Sequence, residues 1–136
     1  MLKRFSISLD EELLDQFDQF ILKRKYTNRS EAIRDLIRND LTQGEWEADK
    51  EVIGVVSLVY DHHQRQLQER LTELQHDYHH QIISTTHIHV DRDNCLEVII
   101  VRGKARKVRE FSEHLRSLRG VKHGNLSMST TGGQLL

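Results

Sequence analysis

Phe5, Ile7 and Leu9 alternate with Arg4, Ser6 and Ser8 near the start of the chain, which is the period of a short amphipathic strand. The period then becomes helical. Leu13, Leu14, Phe17, Phe20 and Ile21 form one apolar stripe behind Asp10-Glu11-Glu12, acids that favour the positive end of a helix dipole. Lys23-Arg24-Lys25 supplies cations at the opposite end. Asn28-Arg29-Ser30-Glu31 opens a second helix in the manner of a capping box, and Ala32, Ile33, Leu36, Ile37 and Leu41 make its apolar face. That helix is expected to leave at Gly44 or run on to Trp46, with residues 49–51 as a linker.

From Val52 onward the pattern reads β-α-β-β-α-β. An apolar strand at 52–60 precedes a helix at 64–80 with Leu67, Leu71 and Leu74 inward. Strands at 82–90 and 95–101 flank the polar turn Asp91-Arg92-Asp93-Asn94. A helix at 104–118 turns Val108, Phe111, Leu115 and Leu118 inward, and a last strand covers 121–129. This is the ferredoxin-like order. The expected fold class is α+β, with residues 1–48 as one domain and 52–136 as the other. Residues 132–136 read as a flexible tail.

One strand and two helices cannot close a core, and the natural partner for such a strand is the same strand of a second chain. The expected product is a ribbon–helix–helix dimer, whose two-stranded ribbon fits the major groove of DNA. Arg4, Ser6 and Ser8 would face the bases, with Arg suited to guanine and Ser able to donate or accept. The start of the second helix, at Asn28, Arg29 and Ser30, would meet backbone phosphates.

Net charge changes that picture only slightly. The chain carries a formal charge of −1, and acids outnumber bases within residues 1–48. Distribution therefore has to carry the DNA reading: the ribbon holds Lys3 and Arg4 with no acid before Asp10. A single cysteine excludes an internal disulfide and fits a reducing compartment. With no apolar signal core and no run of membrane length, a cytoplasmic protein without a membrane partner is expected. The basic side of the second domain's last helix (Lys104, Arg106, Lys107, Arg109) reads as a solvated face.

The strongest chemical signal is His87-Ile88-His89 with Cys95 six residues on. Residues i and i+2 of a strand share a face, so the two histidines lie roughly 6–7 Å apart at Cα, and the hairpin returns Cys95 beside them. A thiolate with imidazoles suits Zn, Cu, Co or Ni and disfavours Mg and Ca. His76, His79 and His80 cluster farther upstream, where each also favours a helix C-terminal end.

Asn28-Arg29-Ser30-Glu31-Ala32-Ile33-Arg34-Asp35, together with His76, His87-Ile88-His89 and Cys95-Leu96-Glu97 in that order, resembles the nickel-responsive transcriptional regulators, from about Arg4 to His123. The resemblance implies an ACT-like second domain. It also implies a square-planar Ni(II) site of three imidazoles and a thiolate, one ion per subunit, with His87, His89 and Cys95 from one subunit and His76 from its neighbour. It implies a homotetramer, built as a dimer of dimers, that binds palindromic operator DNA and represses nickel-uptake genes when loaded. Glu97 would join a network that orients the ligands, with Tyr60, His62 and Gln75 in that network or in a secondary metal site. Glu31 and Asp35 match carboxylates that hold a cation at a domain interface, or form a solvated acidic face beside Arg34 and Arg38. Ser6 and Ser8 stand where Thr is common in the family.

Other functions fit less well. A catalytic zinc site keeps an open position and a proton-moving base, whereas four ligands close this one. An antitoxin-like protein needs no folded second half, whereas residues 52–129 read as a complete domain. A regulator of the same build that senses Cu, Co, Zn or a small molecule is the remaining alternative.

Overall fold

A computed structural model describes residues 1–136, which divide into two compact units, Met1–Asp40 and Leu41–Leu136. In the first unit, α1 (Glu11–Arg24) begins where the Asp10 carboxylate accepts the Glu12 N–H at 3.0 Å. It stops at Lys25, whose φ of 62° ends the helical path. The start of α2 (Arg29–Glu47) is capped as its sequence requires, with the Asn28 side-chain oxygen accepting the Glu31 N–H at 2.9 Å. Ile21 of α1 and Ala32 of α2 are buried, and Phe20 packs on Tyr26.

Residues 1–10 differ from expectation: they carry no strand. A strand is defined by its ladder, and this segment has no neighbouring strand in the single chain to bond with. Phe5 and Ile7 are correspondingly exposed, at 73% and 62%.

The second unit is a four-stranded antiparallel sheet in the order β2-β3-β1-β4. Its strands are β1 (Glu51–Asp61), β2 (Ile82–His89), β3 (Asn94–Lys104) and β4 (Val121–Met128). The helices are α3 (Arg65–Asp77) and α4 (Ala105–Ser117). Burial alternates strictly along β1 and over most of β3, as a sheet with one covered face demands. Val52, Val56, Leu58 and Tyr60 of β1 and Cys95, Ile99 and Val101 of β3 share a core with Leu67 and Leu71 of α3 and Val108, Phe111 and Leu115 of α4.

Two junctions depart from the sequence reading. The helix expected through His80 ends at Asp77, because Tyr78 turns inward and packs on Phe111 with ring centroids 4.7 Å apart. His79 and His80 therefore lie in the turn before β2. The expected linker at 49–51 is tied down. The Asp49 carboxylate accepts the Arg106 N–H at 2.8 Å, Lys50 C=O accepts the Ala105 N–H, and Glu51 already belongs to β1. Trp46, expected at the exit of α2, is only 3% exposed and belongs to the core of the second unit.

Candidate metal centre

The hairpin between β2 and β3 is built by its tip. The Asp91 carboxylate accepts the backbone N–H groups of Asp93 and Asn94 at 2.9 and 2.8 Å and the Asn94 side-chain amide at 3.1 Å. Those bonds hold the Asp91 carboxyl below its ordinary range, the Asn94 side chain contributing most. They also fix the register, so that His89 pairs with Cys95 and His87 with Glu97. Across the next ladder Tyr60 pairs with Cys95 and Leu58 with Glu97. Paired residues share a face, which sets two rows of chemistry on the helix-covered side of the sheet.

In the first row the Cys95 Sγ lies 3.4 Å from His89 Nδ1. His62, just beyond β1, closes on the same spot: its ring is 5.3 Å from that of His89, and ligand atoms of His62, His89 and Cys95 all lie within 4.8 Å of one another. The Nδ1 of His62 is buried without a hydrogen-bond partner. In the second row the Tyr60 hydroxyl is 3.5 Å from His87 Nδ1 and donates to Glu97 at 3.4 Å, while the Gln75 amide donates to the other Glu97 oxygen at 3.4 Å. A cavity lined by Tyr60, Leu71, Gln75, His87 and Glu97 opens beside it. The His87 and His89 rings are 5.3 Å apart, so the two rows form one site.

Electrostatics in the site run against a free thiolate. Burial first, then the carboxylates of Glu97, Asp61 and Asp91, push the Cys95 thiol up from its ordinary value. Burial and the neighbouring Glu97 push the Tyr60 phenol up as well, which keeps it a hydrogen-bond donor. A cation placed between His89 and Cys95 reverses that balance, because a coordinating thiol loses its proton. The donor set present, the Cys95 thiol with the imidazoles of His89 and His87 and the orphaned nitrogen of His62 as a third, fits a borderline transition metal.

His76 stands apart from this cluster. It is exposed near the end of α3, its ring stacked on that of His79 at 5.6 Å. Sequence reasoning gave His62 only an ancillary place, because its approach to Cys95 follows from the pairing of β1 with β3, where Tyr60 is the register partner of Cys95.

In the first unit, Arg4, Ser6 and Ser8 are exposed ahead of α1. Asn28 is engaged as the cap of α2, and Arg29 makes a two-pronged bond to Asp18 at 2.9 Å for each contact, which holds the Asp18 carboxyl below its ordinary range. Ser30 accepts from the Arg34 guanidinium through its carbonyl. Glu31 pairs with Arg34 at 2.8 Å, and Asp35 accepts the Tyr26 hydroxyl, so both carboxylates have protein partners.

The family described as NikR C terminal nickel binding domain matches residues 53–129, which include every residue of the two rows. The chain belongs to this family. Residues 3–44 match the ribbon-helix-helix proteins of the copG family. Three provisionally named nickel-responsive regulators illustrate the relationship. The one from Desulfotalea psychrophila is 61% identical over 99% of both chains. Those from Solibacter usitatus and Geobacter sulfurreducens are 53% and 54% identical, over 98% and 97% of this chain and 97% and 96% of theirs. An uncharacterized protein of solved structure from Thermotoga maritima shares the fold alone: TM-score 0.52, 13% identity, over 57% of this chain and 96% of that one. No helix is long and apolar enough to cross a membrane.

Proposed function

We propose that this chain is a nickel-responsive, DNA-binding transcriptional regulator that represses nickel-uptake genes when loaded. One observation carries the reading: the register that sets His89 against Cys95 and His87 against Glu97, inside the segment matched by a nickel-binding family. His87, His89 and Cys95 hold Ni(II), one ion per subunit, and His76 reaches the ion from a neighbouring subunit of a homotetramer. Its exposed position, away from the cluster of its own chain, supports that assignment. Bound nickel supplies a positive charge that binds the thiolate and joins residues of two subunits, so that metal binding and assembly become linked equilibria.

The remaining residues position the ligands. Tyr60 and Gln75 both donate to Glu97, which leaves its carboxylate fixed beside His87. At the other end of the chain, Arg4, Ser6 and Ser8 read base edges of a palindromic operator once two chains pair, and Asn28, Arg29 and Ser30 meet phosphates. Arg29 then exchanges Asp18 for a phosphate oxygen. Glu31 and Asp35 are free to take a cation only if Arg34 and Tyr26 release them.

A gel shift with a palindromic promoter fragment, with and without stoichiometric Ni(II), tests the reading. Operator affinity should rise with nickel; equal affinity in both lanes rejects a nickel sensor. A second reading is favoured by one specific observation, the approach of His62 to His89 and Cys95 within a single chain. It assigns these three residues to another ion such as Zn, Cu or Co. His62→Ala and His76→Ala separate the two. Loss of stoichiometric nickel binding in His76→Ala alone supports the cross-subunit site, whereas loss in His62→Ala alone supports the single-chain site.

A further inference from the structure

Residues 130–136 had no role in the sequence reading and Ser129 was expected to end the last strand, yet Ser129 and Thr130 are bonded to the last turn of α2. Ser129 extends the sheet by donating its N–H to Ile53 C=O at 2.9 Å. Its own carbonyl accepts the Trp46 indole N–H at 2.8 Å. The Thr130 hydroxyl then donates to the Glu45 carboxylate at 2.7 Å. Thr130 is half-buried and Trp46 almost wholly so. A buried indole N–H needs an acceptor, and this one finds it in a backbone atom 83 residues away.

The other side of Trp46 is held by packing. Its ring lies against Gly54, where an added Cβ would stand 3.3 Å from the indole edge, and the Arg109 guanidinium sits over it at 5.6 Å. Asp49, two residues past α2, is fixed by its bond to the first turn of α4. The end of α2 is thus gripped by β4's extension, by β1 and by α4. These elements belong to the same unit that carries the metal residues, and β1 itself ends in Tyr60 and Asp61. Because α2 is one helix from Arg29 to Glu47, a grip on its last turns acts on the covalent link between the two units.

We propose that Ser129 and Thr130 form a strap that fastens the end of α2 to the metal-binding sheet and transmits the metal state to the DNA-binding unit. The transmission role rests on the regulator reading above; the fastening does not. Without the strap, nickel still binds, but the helix that connects the units is no longer held to the sheet.

The test uses the full chain, a variant lacking residues 129–136, and the milder Thr130→Val and Trp46→Phe. Trp46 is the only tryptophan, so its emission reports on the strap directly in every variant that retains it. Removing residues 129–136 should shift that emission to the red and speed hydrogen exchange at Ala48, Asp49 and Lys50 by about tenfold or more. Thr130→Val should do the same to a smaller degree. Nickel–thiolate absorption should persist in every variant, while the nickel-dependent gain in operator affinity falls at least about tenfold in the truncation and measurably in Trp46→Phe. Unchanged emission and exchange in the truncation overturn the strap. Loosened exchange with the full nickel-dependent gain overturns its transmission role. A parent chain whose operator binding ignores nickel overturns the regulator reading and the transmission role together, and exchange still decides the fastening.

Discussion

Cys95 is the residue on which the proposed metal site turns, and its surroundings explain why its thiol keeps its proton without a cation. It is fully buried, that burial and then the negative charges of Glu97, Asp61 and Asp91 raise its thiol, and it has His89 Nδ1 as a neighbour at 3.4 Å. Cys95→Ala should abolish nickel–thiolate charge-transfer absorption; persistence of those bands would place the metal elsewhere. Asp91 allows a sharper test of how the hairpin is held. Its folded pKa lies below the ordinary 3.8 because Asn94 and the Asp93 N–H bond to its ionised form. A depressed carboxylate contributes stability above its unfolded pKa and loses it as pH falls through the folded value. The protection factor of the Asn94 amide should therefore be high at neutral pH and fall as the pH drops through the depressed folded value of Asp91. Asp91→Asn should remove that acid transition, and a transition that survives the substitution would assign it to another group.

At the scale of elements, two glycines predict opposite signs. Gly44 sits inside α2 with nothing within 4 Å of the place an alanine methyl would take, and its φ is not positive. Alanine there should raise stability by about 0.5–1 kcal/mol, because glycine loses more backbone freedom in a helix. Gly54 in β1 is the reverse: a Cβ would stand 2.5 Å from Val108 and 3.1 Å from Leu126. Gly54→Ala should cost about 1–3 kcal/mol through overpacking between β1 and α4. Thermal or urea unfolding of both variants checks the pair, and a stabilised Gly54→Ala would mean that α4 gives way easily. What decides these signs is non-local, and the same distinction separates what the chain's pattern revealed from what it hid. Strand alternation and the Asp91-Asn94 turn were enough to place His87, His89 and Cys95 together. The early end of α3 was hidden because it depends on Tyr78 meeting Phe111, a residue of a different helix. The pattern marked Trp46 only as an exit point of the second helix, and only the fold brings Ser129 to its indole. His62 joins Cys95 through the β1–β3 register, which no local window contains.

On the scale of the whole molecule, the first unit leaves a row of apolar positions uncovered. Ile7, Leu13, Leu36 and Ile37 are 62%, 51%, 44% and 49% exposed. Ile7, Leu9, Leu13, Phe17, Ile33 and Leu36 line one common hollow. The sequence pattern pairs the strand segment of this unit with that of a second copy, and covering these apolar positions there would remove surface from water at roughly 25 cal/mol for each Å². Ile7 is the most telling position, since its place in the alternating segment lies between Ser6 and Ser8, the residues proposed to face the bases. Ile7→Asp would place a charge in the expected ribbon core while leaving every proposed nickel residue, all within residues 41–136, untouched. Operator affinity should fall more than about tenfold, or ~1.4 kcal/mol. Nickel–thiolate absorption should stay at the parent's intensity. Gel shift and absorption titration on the same preparation separate the effects, and sedimentation supplies the assembly state. Retained operator binding in Ile7→Asp would show that DNA recognition does not need a paired ribbon, whereas lost absorption would mean that assembly through the first unit is required before the metal site can close.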